Sequence, residues 1–371
     1  MKRVLSFFSM ALFALMAVFT PAHAEDVIKI GVAGPHTGDL APFGIPTVHA
    51  VKIVAEKYNA NGGLLGKKIQ VIVLDDQCKP EIATNVATNL VTQGVVGVIG
   101  HICSGATKAA LPIYKQAKIP VISPSATNPS LTKLGAPVFF RTIAPDNAQA
   151  KLDADFIVNR LHAKRVAIIH DKEDYGKGLA TYVKEYIEKS GKAKVVLFAG
   201  VTRGAMDYSA IVQRIKRVHP DVVMFGGYHP EASKIVMAMR RMRVKVPFIS
   251  GDGIKNDKFI QVAGKYAEGV YASGPKDISG NPLYKVALEE HKKKYGTEPG
   301  AFYFNGYAAA QALFNAIQKA GSTDFDKIVK VLHTQYVETP LGKIRFDKNG
   351  EAEGVGFAIY QVRNGKFVQV K

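Results

Sequence analysis

Short apolar runs and longer amphipathic stretches alternate along most of this chain. Residues 28–32 (Ile-Lys-Ile-Gly-Val) predict a strand, and 44–59 a helix ended by Asn61-Gly62-Gly63. A strand over 69–74 closes on Asp75-Asp76, a helix covers 80–91, and 95–99 is a buried strand. A helix over 104–116 and a short strand over 120–122 follow. The alternation breaks at 142–147 and then restarts. Helices are predicted over 148–161, 179–189, 208–217 and 230–241, with strands over 166–170, 195–198, 222–226 and 248–249. The tail returns to helices over 283–295 and 302–320 and finishes with strands near 344–346, 357–362 and 367–370. Strand–helix alternation predicts parallel sheets with helices on both faces. The expected fold is therefore α/β: two doubly wound parallel-sheet lobes joined by a hinge of crossover segments. The expected boundaries are 25–143 plus 275–352 for the first lobe and 144–274 plus 353–371 for the second.

The first 24 residues read differently. Lys2 and Arg3 precede an apolar stretch over 4–19 that only Ser6 and Ser9 interrupt, and Ala22-His23-Ala24 follows. This is the pattern of a secretory leader cleaved after Ala24, and the stretch is short for a membrane anchor. The mature chain is expected outside the cytoplasm. The chain carries 49 Lys+Arg against 31 Asp+Glu, a formal net charge of +18. The densest basic clusters, Arg240 to Lys245 and Lys292-Lys293-Lys294, lie near predicted helix ends, where cations favour the dipole and stay solvated. The excess does not call for a nucleic-acid partner. The two cysteines, Cys78 and Cys103, each lie just beyond a predicted strand. In an exported chain they are expected to pair at neighbouring strand ends; a catalytic Cys103 beside His101 is the alternative.

Catalytic motifs are lacking. There is no Gly-x-Gly-x-x-Gly, Walker loop, Gly-x-Ser-x-Gly or His-Glu-x-x-His. Ser130-Leu-Thr-Lys133 fits Ser-x-x-Lys without the companion motifs that would give it meaning, and the ten histidines lack metal-ligand spacing. No enzyme activity, cofactor or metal is expected. Polar groups gather instead where strands end: Gly100-His101-Ile102-Cys103-Ser104, Ser123-Pro124-Ser125-Ala126-Thr127, His170-Asp171-Lys172-Glu173-Asp174-Tyr175-Gly176, Gly226-Gly227-Tyr228-His229-Pro230 and Ser250-Gly251-Asp252-Gly253. Each alone could be a cap or turn. Their recurrence in both units points to a cleft outside the carboxyl ends of the strands. One unit supplies hydroxyls and helix N-termini, the other two tyrosines and a carboxylate, a set that suits a zwitterion.

These segments, with Asp75-Asp76-Gln77-Cys78-x-Pro80, resemble in order and spacing the leucine/isoleucine/valine-binding proteins of ABC importers, which have the type I periplasmic-binding fold. The resemblance covers nearly the whole chain beyond the leader. It implies that Ser104 and Thr127 bind the carboxylate of an amino acid and that the Ser125 carbonyl, with Thr127, faces its ammonium. Tyr175 and Tyr228 would close from the second lobe, with Phe43 and Phe302 beside the side-chain pocket. The family's ammonium-binding acid is a Glu, matched here by the shorter Asp252; the family usually has Tyr or Trp where this chain has Phe43. A branched-chain aliphatic amino acid is the leading ligand, a small, aromatic or non-amino-acid carboxylate the alternative. The implied partners are permease subunits in the inner membrane, met by a monomeric carrier.

Overall fold

A computed structural model describes residues 26–370, so the leader and its cleavage site lie outside the described residues. The first sheet is built from β1 (Val27–Gly34), β2 (Lys68–Asp75), β3 (Gly97–Ile99), β4 (Val121–Ser123) and β5 (Phe139–Arg141) in the order β2-β1-β3-β4-β5, all parallel. Four helices connect them: α1 (Ala41–Ala60), α2 (Pro80–Thr92), α3 (Ser104–Ala117) and α4 (Ser130–Gly135). Parallel strands roofed on both faces read as continuous apolar runs. Accordingly β3, β4 and β5 are buried throughout.

The second sheet adds β6 (Arg165–His170), β7 (Lys194–Gly200), β8 (Val222–Gly226), β9 (Phe248–Ser250) and β10 (Tyr271–Pro275). Its helices are α5 (Asp146–Asp155), α6 (Asp174–Ser190), α7 (Ser209–Arg217), α8 (His229–Arg241) and α9 (Asp257–Ala263). The chain then returns to the first lobe for α10 (Pro282–Tyr295), α11 (Tyr303–Ala320), α12 (Phe325–Thr334) and the hairpin β11 (Val337–Thr339)–β12 (Gly342–Ile344). It ends in the second sheet with β13 (Phe357–Arg363) and β14 (Lys366–Gln369). That sheet runs β14-β13-β10-β9-β8-β6-β7.

The expected two-lobed α/β fold is the one observed, with two differences of detail. The second sheet is mixed, because β13 pairs antiparallel with both β10 and β14. A terminal hairpin needs no crossover helix and can add to an existing edge in the antiparallel sense. In addition, β5 and β10 are strands that the sequence pattern did not reveal. The chain passes between the two sheets three times: at 142–145, at 276–281 and across 345–356. The third passage meets the end of β5, where the first passage begins, at a parallel bridge between Arg141 and Glu351.

Three apolar clusters fill the molecule. One packs α1, α11 and α12 on the first sheet (Ile30, Val51, Leu313, Phe314), and one packs α7 and α8 on the second (Val212, Val223, Phe225, Met239). The third joins the inner faces of both sheets and runs across the cleft through Phe43, Tyr175 and Tyr228.

Candidate functional site

On the first lobe the site grows from the ends of β3 and β4. Cys103 precedes α3 in extended conformation, so Ser104 opens the helix at 1 % exposure. Cys103 is bonded to Cys78, with Cα atoms 5.5 Å apart. They do not meet at neighbouring strands, since β1 lies between β2 and β3; the disulfide spans its end. His101 is no partner for a nucleophile: Nδ1 lies 2.6 Å from Asp76 and Nε2 3.0 Å from the Tyr114 hydroxyl, all buried. The bridge closes a loop with a sequence separation of 25. Replacing both cysteines by serine should lower the unfolding free energy by roughly 3–4 kcal/mol, read from urea transitions. An unchanged midpoint would show that the bridge constrains nothing.

The loop after β4 is pinned from several sides. The Ser123 hydroxyl donates to the His101 carbonyl (2.6 Å), and the Ser125 hydroxyl to that of Ile102 (2.8 Å). The Ser104 hydroxyl accepts from the Asn128 amide at 3.3 Å. Arg141, fully buried, donates through Nη1 to the carbonyls of Ala126 (3.1 Å) and Asn128 (3.0 Å) and forks onto Glu351 at 2.7 and 2.5 Å. Thr127 is held between these anchors, and its buried hydroxyl has no well-formed hydrogen bond.

The second lobe supplies an aromatic and acidic wall. The Tyr175 hydroxyl donates to Asp252 Oδ1 (2.7 Å) and accepts from the Gly253 amide (3.0 Å). Gly251 and Gly253 make this possible: a Cβ there would stand 2.6 Å from the Tyr175 hydroxyl and 2.8 Å from its ring, respectively. Tyr228 lies with its ring centroid 5.0 Å from Tyr175 and 6.1 Å from Phe43 of the opposite lobe. Phe43 also meets Phe302 at 5.6 Å and His229 at 5.5 Å. Further contacts cross the cleft: Lys108 to Asp174 at 2.8 Å, and the Asn128 amide to the Asp174 carbonyl at 2.8 Å. The lobes are thus closed on each other. A groove of about 1280 Å³ opens along the crossover segments, and Phe302 and Asp252 are among the residues that line it.

The structure brings Ser104, Ser125, Thr127, Tyr175, Tyr228, Asp252, Phe43 and Phe302 to this one cleft. It also adds residues that the strand-end pattern missed. Asp146, Gln149 and Asp153 lie on α5, fully buried, beside Asp252 and Ser273. Their i, i+3, i+7 spacing on one helix face was visible in the sequence. Polar residues at that spacing usually mark a wet face, so the signal was ambiguous. Both Asp146 oxygens, Asp153 Oδ1 and Gln149 Oε1 have no hydrogen-bond partner. Burial pushes Asp252 up to about 6, against the hydrogen bonds of Tyr175 and Gln149. It pushes Asp146 up to about 8, opposed by the Thr127 hydroxyl close by, and Asp153 well above the usual carboxylate range. Among the described residues no group of three or more His, Cys, Asp or Glu is placed to hold a metal ion.

Two α/β lobes, three crossovers and a cleft of buried polar groups between the lobes define a two-lobed solute-binding protein. The family model described as periplasmic binding protein matches residues 27–366, and the chain belongs to that family. It is 35 % identical over 353 residues to a leucine-, isoleucine-, valine-, threonine- and alanine-binding protein of Pseudomonas aeruginosa, covering 94 % of each chain. To the Leu/Ile/Val-binding protein of Escherichia coli it is 36 % identical over 345 residues, 93 % of each. A solved leucine-binding protein from Thermotoga maritima superposes with a TM-score of 0.87 at 29 % identity, over 93 % of this chain and 98 % of the other. The resemblance drawn from the strand-end segments is therefore correct as to family and fold.

Proposed function

We propose that this protein captures an α-amino acid, foremost leucine, isoleucine or valine, between its lobes and delivers it to the permease of an ABC importer. The observation that carries the reading is the set of unsatisfied buried groups in the closed cleft. The Gln149 carbonyl has no partner, and the Thr127 hydroxyl and Asp146 carboxyl, close enough to influence each other, form no well-aligned hydrogen bond, while Asp252 stands beside them. Native proteins rarely leave such groups orphaned, and a zwitterion would satisfy them. Ser104 and Thr127 would hold its carboxylate, the Ser125 carbonyl and Asp252 its ammonium, with Asp146 as a second acid. Tyr175 and Tyr228 would close over it, and Phe43 and Phe302 would face its side chain. A ligand without an ammonium would leave Asp252 and Asp146 facing each other unpaired, which disfavours plain carboxylates. The amino-acid-binding relatives named above point the same way.

The rest of the reading follows. The protein acts as a monomeric carrier and not as an enzyme, exported after cleavage behind Ala24. No helix among the described residues is long and apolar enough to cross a membrane. The lobes comprise 25–143 with 275–352 and 144–274 with 353–371, and they open by hinge motion at the crossovers.

Ammonium capture should be linked to protons. The titratable groups within electrostatic reach of the two acids are Asp153, Tyr175, Tyr182, Tyr228, Arg141 and Lys255. With Asp146 at about 8 and Asp252 at about 6, part of the pair is protonated at neutral pH. The arriving ammonium favours both carboxylates, so binding releases protons. Leucine affinity should therefore rise between pH 6 and 8, by at most about tenfold per pH unit for each proton released. Calorimetry in two buffers of different ionisation enthalpy counts those protons. Binding that is flat with pH and releases none would mean that neither acid meets the ammonium.

A further inference from the structure

Asp252 does not stand alone at the end of β9. Its Oδ1 accepts from Gln149 Nε2 at 3.3 Å as well as from Tyr175. The same Gln149 nitrogen donates to the Ser273 hydroxyl at 2.9 Å, and that hydroxyl donates to Asp153 Oδ2 at 3.2 Å. Gln149, Asp153 and Ser273 are fully buried, and Asp252 is 2 % exposed, so the chain of contacts is shielded from solvent. It links α5, β10 and the turn after β9, the three pieces that follow the first crossover, precede the second and carry the acid.

With Asp252 ionised, the direction of each hydrogen bond follows from what its partners can do. A carboxylate only accepts, so Gln149 must present its NH2 group to Asp252 and not its carbonyl. That amide has two protons, and the second goes to Ser273. A serine hydroxyl has one proton, and here it must leave Ser273 toward another acceptor, because Ser273 is accepting from Gln149. Asp153 Oδ2 is that acceptor, as a carboxylate oxygen when the acid is ionised and as the carbonyl oxygen when its proton sits on Oδ1. Remove it, and the Ser273 hydroxyl is free to turn and donate to Gln149 Oε1, which has no partner. The amide could then rotate by half a turn and point its carbonyl at Asp252, and the acid would lose a donor and gain a repelling dipole.

We infer that Asp153 is a positioning residue for ligand capture: acting through Ser273 and the amide orientation of Gln149, it holds Asp252 ready for the ligand's ammonium. The inference rests on the proposed capture of an amino acid by Asp252. It does not place Asp153 against the ligand. The residue also works against the stability of the fold, since its Oδ1 is buried without a partner and burial of the acid is costly. Function and stability therefore pull in opposite directions at this position.

The test is a set of four variants: Asp153→Ala, Asp153→Asn, Ser273→Ala and the double substitution. Leucine binding to ligand-stripped protein is read by calorimetry, and ligand-free melting by circular dichroism. Asp153→Ala should weaken binding about tenfold, the scale of one disturbed buried hydrogen bond to a charged group, while the ligand-free Tm stays level or rises. Asp153→Asn keeps a carbonyl acceptor for Ser273 and should restore most of the affinity. Ser273→Ala removes the hydroxyl through which Asp153 acts, so adding Asp153→Ala to it should cost nothing more. A merely structural role predicts the reverse pattern: a lowered Tm with unchanged affinity. Wild-type affinity in Asp153→Ala overturns the inference, as does full additivity of the two alanines. The proposed function fails separately, if the wild-type protein binds no amino acid or if Asp252→Ala binds as well as wild type.

Discussion

Asp252→Ala should lose leucine affinity by roughly 30-fold to several-thousand-fold, the range found when one partner of a buried charge pair is truncated. The cause is the ammonium left behind. In the closed cleft, with Asp252 2 % exposed, water has little room to replace the carboxylate. Asp146 lies within electrostatic reach of Asp252 and keeps part of the compensation, which places the loss toward the lower end. Asp252→Asn should behave similarly, because it keeps the shape and the contact to Tyr175 but not the charge. Asp252→Asn should not melt earlier without ligand, because it removes a buried acid whose ionisation the fold opposes and keeps an acceptor for Tyr175, whereas Asp252→Ala leaves the buried Tyr175 and Gln149 donors unpaired and loses part of that gain. A fall in affinity with an intact fold is the expected result in equilibrium titration. Near-normal binding would remove Asp252 from the site.

Arg141→Ala should be strongly destabilising, at about 3–5 kcal/mol in urea unfolding, because it removes a fully buried guanidinium from the partly exposed Glu351 and from two carbonyls at once. Glu351 would lose both of its contacts to the guanidinium, and the carbonyls of Ala126 and Asn128 would lose their donor. The same side chain ties the first crossover to the third and braces the loop that carries Thr127. Ligand affinity should therefore fall together with stability, unlike the outcome at Asp252. Arg141→Met, which fills most of the volume, should recover packing but not the carbonyl contacts. An unaltered unfolding midpoint for both would show that Arg141 does not brace the crossovers.

What the sequence revealed follows from how each feature is encoded. Parallel strands covered on both faces leave apolar runs such as residues 166–170 and 222–226, and helices leave their own period between them, so the alternation of the two lobes was readable. β5 and β10 escaped notice because Phe139–Arg141 is three residues long and Tyr271–Pro275 ends in Gly-Pro. The antiparallel edge was invisible for a different reason. Residues 357–370 read as strands, but only tertiary structure decides which sheet they join and in which sense. In the site, Ser104, Tyr175, Tyr228 and Asp252 were legible because each sits next to a strand end, where a local pattern announces it. Asp146, Gln149 and Asp153 were not. They enter the cleft on α5 by way of the first crossover, and their meaning depends on Ser273, more than a hundred residues away.

The most direct test of the central claim is calorimetric titration of refolded, ligand-stripped protein with each of the twenty amino acids in turn. Refolding guards against a ligand carried through purification. The account predicts one-to-one binding, tightest for leucine, isoleucine or valine, with each misfit methylene costing about 1–3 kcal/mol against Phe43 and Phe302. No heat and no saturable binding with any amino acid would contradict it, and the roles given to Asp252 and Thr127 would fall with it.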